Sequence, residues 1–368
     1  MQRGFFDRFA SRWSASNPIG LSDLFILLVV SKICVYTFSV GLLYLSGVQP
    51  SFDMFFNWDA GFFIGIAENG YYSPASYAMA PLFPSIIRGF GEIFSRNYQI
   101  AGLFTANLFS FLELLPAYML FKYYSNNSGY KVALWLFFPL YFVWGMVPYT
   151  EHVFSFFVLC SWWCLKADKK VFAIVFAALV SLIRQPGVIL FIPLFLYFVF
   201  EERSIYGKIR YALASLLVPI TVVLWNFVAG WISGDPLAVV NAQQYFGASF
   251  AFEYIGKLDF KSLIEYYSTY TFPNHVAMPF LVVTVGLACF LLVPRIYKMD
   301  KYLAVYTFLN IAFYLVFFPF TSTLRYLFAL FPLFLAINVK VDLKLYVLFC
   351  IVSSALMLYS FMQIAFIG

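Results

Sequence analysis

Residues 21–48 read LSDLFILLVVSKICVYTFSVGLLYLSGV. Roughly 20 apolar residues suffice to carry a helix across the hydrocarbon core of a bilayer. This run is longer, too long for the core of a signal peptide, and no small-residue cleavage site follows it. It is therefore expected to be a retained membrane helix. Comparable runs recur at about 100–122, 131–148, 152–166, 170–184, 187–200, 209–232, 276–294, 302–319, 324–338 and 344–366. The expected fold is all-α: a polytopic helical membrane protein of about eleven spans, forming one domain over residues 1–368. Open backbone cannot be left unsatisfied in lipid, so apolar spans of this kind must be helical.

The composition agrees. Of 368 residues, 63% are hydrophobic and only 11% charged, with 48 Phe, more apolar surface than a soluble domain can cover. Cys34, Cys160, Cys164, Cys289 and Cys350 all fall inside apolar runs. They read as small hydrophobes, with no disulfide or metal framework, and neither a metal nor a cofactor is expected. The net charge of +6 is not a nucleic-acid signal, because its distribution follows the spans. With the N-terminus in the cytoplasm, sixteen Lys and Arg fall on the cytoplasmic side, six fall outside, and Lys32 lies within the first span. That is a strong positive-inside bias. KADKK and PRIYKMDK fit tight cytoplasmic turns, while two long outer loops are expected at about 49–99 and 233–275. No internal repeat is visible.

This topology gathers Asp59, Glu68, Arg88, Glu151, His152, Arg184, Gln185, Asp235 and Arg325 at or near the outer face. Helix pairing alone does not require so many ionisable groups at one level, so a site open to the lumen or exterior is expected there. In WDAGFFIGIAENG, Phe62, Phe63 and Ile66 share a helical face and Asn69-Gly70 is a stop signal, giving a short interfacial helix. A second interfacial helix begins near APLFPSIIRGFGEIF. Asp59 sits in the first turn, where a carboxylate also simply complements the helix dipole. Glu113, at lipid depth, is expected to be paired or protonated.

The ordered set of motifs resembles a known family. Trp58-Asp59, AENGY and PLFP, then FFPLYFVWGMVPYTEHVFSFF, SLIRQPGVIL and TSTLRYLFALFPLFLAI are similar to segments of the GPI mannosyltransferase II (PIG-V) family and its prokaryotic relatives. These are GT-C class membrane glycosyltransferases. Gln185-Pro186-Gly187 departs from the family pattern, in which a residue and then Asn-Gly follow the arginine.

The resemblance implies a GT-C-like fold and an inverting transfer of mannose, or a related hexose, from a polyprenyl- or dolichyl-phosphate sugar. The acceptor would be a lipid-linked molecule or a glycan on the outer side. Membrane lipids would surround the enzyme, with room for a small membrane partner subunit. The chain has no Asp-x-Asp pair, no GxxxxGK[ST] loop and no GxGxxG fingerprint, as suits a donor without a nucleotide. Asp59 is the expected base, with Glu68 in reserve. Arg184 and Arg325 are the candidates for the donor phosphate, although snorkelling or interfacial anchoring would also place arginines there. Glu151 and His152 are expected to order the acceptor or to pair with Arg184, Gln185 to hydrogen-bond sugar hydroxyls, and Trp58 to stack on sugar rings. The membrane would be the endoplasmic reticulum in a eukaryote and the cell membrane in a prokaryote. The alternative is a lipid or sugar transporter, which would carry ionisable groups near mid-bilayer.

Overall fold

The computed structural model describes residues 19–246, 277–317 and 320–363, and every regular element among them is helical. The basic residues Arg3, Arg8 and Arg12 lie outside the described residues. So does most of the second outer loop, including Lys257 and Lys261.

Eleven spans are expected from the sequence; among the described residues five helices are long and apolar enough to cross a bilayer. They are α1 (Leu21–Leu45), the pair α4 (Tyr98–Leu112) and α5 (Leu114–Tyr124), the pair α11 (Ile205–Ser215) and α12 (Leu217–Ser233), the stretch Leu281–Met299, and α19 (Leu343–Met362). Two shorter apolar helices are α9 (Lys170–Ile183) and the Gln185–Glu201 stretch, which opens with a 3₁₀ turn and continues as α10 (Phe191–Glu201). On α12, Val223, Phe227 and Trp231 are 67%, 73% and 81% exposed. They repeat every four residues and so form one stripe, an apolar face for which lipid is the fitting solvent.

The expected interfacial elements are helices: α2 (Asp59–Asn69) and α3 (Leu82–Ile93). Phe63 and Ile66 are buried against the helix bundle. The remaining helices are α6 (Ser128–Leu136), α7 (Pro139–Phe142), α8 (Glu151–Lys166), α13 (Ala238–Ala242), α14 (Ala277–Phe290), α15 (Val293–Met299), α16 (Lys301–Phe317), α17 (Phe320–Ala329) and α18 (Phe331–Ala336).

The continuous span expected at 131–148 is broken. Helix α6 stops at Leu136, and the chain continues through the single turn α7, a 3₁₀ turn over Val143–Gly145 and an irregular stretch. Such backbone survives at membrane depth only if its polar groups find partners within the protein. They do: Lys32 Nζ donates to the Gly145 carbonyl at 2.6 Å, and the Tyr36 hydroxyl donates to that of Met146 at 2.7 Å. Lys32, in the middle of α1, is thus an internal brace.

Ion pairs define one end of the bundle. Lys166, closing α8, pairs with Asp300, which also accepts from the Tyr124 hydroxyl at 2.6 Å. Asp300 caps α16 by accepting from the amides of Tyr302 and Leu303. Burial pushes its carboxyl up, but Lys166 and these hydrogen bonds outweigh burial and hold it below the ordinary value. Lys170 pairs with Glu202, and Lys301 with Glu201 at 2.8 Å. Asp168, at φ 59°, makes the tight turn between α8 and α9 in the left-handed region that Asp tolerates. Helices α8 and α9 run in opposite senses from this turn, so Glu151 and Arg184 meet at the other end, about 24 Å away along sixteen residues.

Candidate functional site

At that other end four charges converge from four parts of the chain. Asp59 opens α2, Glu151 opens α8, Arg184 follows α9 and Arg325 lies in α17. Arg325 Nη2 donates to Asp59 Oδ2 at 3.1 Å, and its Nε lies 3.4 Å from Glu151 Oε1. Arg184 Nη1 donates to the same Glu151 oxygen at 2.9 Å. Two cations and two carboxylates make a neutral group, the form in which charges tolerate a low-dielectric setting. Side-chain exposure grades across it: 1% at Glu151, 3% at Arg325, 15% at Arg184 and 24% at Asp59. Asp59 is the end that the surroundings reach.

Local structure fixes each member. Arg184 leaves α9 in extended conformation (φ −151°, ψ 139°). The 3₁₀ turn Gln185–Leu190 then folds back so closely that a Cβ on Gly187 would lie 2.6 Å from the Val180 carbonyl. Only glycine allows this approach, and the turn aims Arg184 at Glu151. Aromatic rings box the guanidiniums. Arg184 lies 3.9 Å above the Tyr326 ring, and Arg325 stands 5.0 Å from Trp144, 5.3 Å from Tyr149 and 4.7 Å from Tyr326. Each such contact contributes about 0.5–2 kcal/mol. Arg325 Nη2 also donates to the Tyr326 hydroxyl at 2.6 Å.

Trp58, just ahead of Asp59, holds φ 57°, ψ −131°. For a non-glycine residue such backbone costs about 1–3 kcal/mol and is found chiefly where geometry matters to function. Its side chain is 42% exposed.

Two residues expected at the site stand elsewhere. Glu68 is exposed and nine residues along α2, about 13 Å from Asp59, so it does not join the cluster. His152 joins a different group: its Nδ1 lies 2.5 Å from Glu113 Oε1 and its Nε2 3.1 Å from the Tyr141 carbonyl. A carbonyl only accepts, so the contact with Tyr141 is made by an Nε2–H donor. Tyr141 donates to the other Glu113 oxygen at 2.6 Å. The reason is local: Glu151 and His152 are neighbours at the start of one helix, so their side chains leave it on different sides. Glu113 is paired, as lipid depth requires. Gln185 is half-buried beside Arg184.

Sequence reading missed Tyr326, Trp144 and Tyr149. Their only sequence signal is adjacency to Arg325 and to the broken segment, easily lost in a chain with 27 Tyr and 8 Trp. A cavity of only about 10 Å³ lies against Glu151, Arg184 and Tyr326, room for one water at most. An anionic group approaching from the exposed side meets Arg184, 15% exposed, before Arg325, 3% exposed. Among the described residues no cluster of three or more His, Cys, Asp or Glu could hold a metal.

No family model, curated protein or solved structure matches the chain.

Proposed function

We propose that this chain is an integral-membrane glycosyltransferase of the GT-C class, PIG-V-like. It would cross the bilayer eleven times with its N-terminus in the cytoplasm. It would transfer mannose or a related hexose from a polyprenyl-phosphate sugar to a lipid-linked or glycan acceptor on the outer side. The observation that carries this reading is the convergence of Asp59, Glu151, Arg184 and Arg325. They come from the four separated segments on which the family resemblance rests, and they touch.

The chemistry follows from that contact. The acceptor hydroxyl approaches Asp59, the most exposed member of the cluster, on the Oδ1 side away from Arg325. Asp59 takes the hydroxyl proton, the acceptor oxygen bonds to the anomeric carbon, and the bond from that carbon to the phosphate oxygen breaks. The lipid phosphate leaves as an anion. It is stabilised by Arg325 and Arg184, whose fixed guanidiniums need little rearrangement to meet the developing charge. A phosphate that competes for Arg325 also loosens Asp59 from it, so donor binding and base release occur together.

The test is transfer from radiolabelled polyprenyl-phosphate mannose, and then from other polyprenyl-phosphate sugars, by purified protein. Wild-type transfer should fall about 10²–10⁴-fold in Asp59→Asn. Transfer undiminished in a folded Asp59→Asn protein would remove Asp59 as base.

One observation favours a transporter instead: Lys32, Glu113 and His152 are ionisable groups deep among the helices. Their hydrogen bonds are largely absorbed in bracing the 137–150 segment, which ranks transport second. Movement of a labelled polyprenyl-phosphate sugar across liposomes, without transfer, would reverse that order.

A further inference from the structure

A second cavity opens at the same end as the charge cluster and shares no residue with it. It has a volume of about 960 Å³ and is walled by the 71–77 segment, the end of α12 and helix α13. That is the size of a pocket for a ligand of several rings. Its floor is rigid. Tyr71 stacks on Tyr77 at 4.9 Å and 19°, lies 4.9 Å from Trp225, and belongs with Ala238 and Val239 to a small core of its own.

The lining combines ring faces with fixed hydrogen-bonding groups. Tyr72 and Tyr245 are 51% and 66% exposed and line the cavity with Asp235, Asn241 and Gln244. Asp235 accepts from the Leu237 amide at 2.9 Å and from Asn241 Nδ2 at 2.8 Å, so both polar side chains are held in place. Tyr72 is positioned by a bare spot on α2: a Cβ on Gly65 would lie 2.7 Å from its ring. Tyrosines at a membrane surface often serve as anchors. Anchors stand out into the interface, whereas these surround a cavity together with amides and a carboxylate.

Among the described residues the lining has one acid, Asp235, and no Lys, Arg or His, a balance that fits an uncharged ligand. A phosphate would find no cation among these described residues and would lie beside the Asp235 carboxylate. Polyhydroxylated rings meet the same lining well: apolar sugar faces lie on tyrosines, and hydroxyls reach Asp235, Asn241 and Gln244. Helix α2 joins the two sites, with Asp59 at its start and Tyr71–Tyr72 just past its end, about 16 Å apart along the eleven-residue helix.

We infer that this cavity binds the uncharged oligosaccharide portion of the acceptor. As an acceptor site, that assignment rests on the transferase reading; as a glycan site it stands alone.

The experiment uses the full-length protein in phosphatidylcholine nanodiscs, titrated by calorimetry with mannotriose, chitotriose, cellotriose and inorganic phosphate. At least one trisaccharide should saturate and phosphate should not compete. Tyr245→Ala and Asn241→Ala should each weaken binding at least ~tenfold. Gly65→Ala, which displaces Tyr72, should weaken it as well. The inference is overturned if no trisaccharide saturates, if binding ignores both the Tyr245 and Asn241 substitutions, or if phosphate competes. Transfer that survives Asp59→Asn while glycan binding holds would remove the catalytic reading alone. Transfer lost in Asp59→Asn without any trisaccharide binding would remove the glycan site alone.

Discussion

Glu151→Gln is the sharpest perturbation of the charge cluster. The Glu151 carboxylate is 1% exposed and lies between both arginines, 2.9 Å from Arg184 Nη1 and 3.4 Å from Arg325 Nε. Neutralising it leaves two guanidiniums with a single carboxylate, Asp59, which contacts only one of them. Removing one partner of a buried ion pair costs about 3–5 kcal/mol, because the remaining charge stays desolvated. In a thermal scan of the detergent-purified protein, followed by fluorescence-detected size exclusion, the midpoint should fall by about 4–6 °C. The partner variant Arg184→Gln removes the surplus charge. The double variant should therefore be more stable than the two single losses added together, by about 1–3 kcal/mol of coupling in denaturant titrations. A Glu151→Gln protein within ~0.5 kcal/mol of wild type, with additive losses in the double variant, would refute a mutually compensated cluster.

Three further outcomes follow from single residues. Trp58 holds a positive φ that glycine adopts freely, so Trp58→Gly should be about 1 kcal/mol more stable than Trp58→Ala; equal midpoints would show no strain there. The Asp300 carboxyl is held below its ordinary value of 3.8, so its stabilisation is present above that pH and is lost as pH falls through the lower folded value; Asp300→Asn should lower the neutral-pH midpoint and flatten the acid limb, and an unchanged limb would contradict it. Cysteines at Asp59 and Lys301 should react with an impermeant thiol reagent from opposite faces of sealed vesicles; labelling of both from one side would contradict the two-ended arrangement.

Much of the charge cluster was legible because an ionisable residue in an apolar chain is rare, and each one stands out. Composition and topology place Asp59, Glu151, Arg184 and Arg325 among nine polar residues at the outer face, and the family resemblance singles out their roles; the Glu151–Arg184 pairing was one of two readings open for Glu151, and the Arg325 contacts were not foreseen. The failures have physical causes. Glu68 lies near Asp59 in sequence, but a helix carries it about 13 Å away. His152 follows Glu151 directly, yet one step around a helix turns it to Glu113. The break at Leu136 was hidden because irregular backbone inside a membrane has no polar signature of its own; its partners, Lys32 and Tyr36, lie about a hundred residues earlier.

That break also explains why the deep polar group exists. Arg325 is boxed by Trp144 and Tyr149, both on the irregular segment between α7 and α8. Side chains of one regular helix point outward around its axis, so six residues of continuous helix would spread Trp144 and Tyr149 over its surface. Bringing both rings onto one guanidinium calls for a chain that turns within the protein. Such a chain leaves carbonyls unpaired where no water reaches, and each would cost several kcal/mol. Lys32, Tyr36 and His152 supply those donors, and Glu113 holds His152 in place from behind. The buried ionisable group beneath the site is thus a consequence of the aromatic box around Arg325, and the two neighbours Glu151 and His152 tie them together at the head of α8.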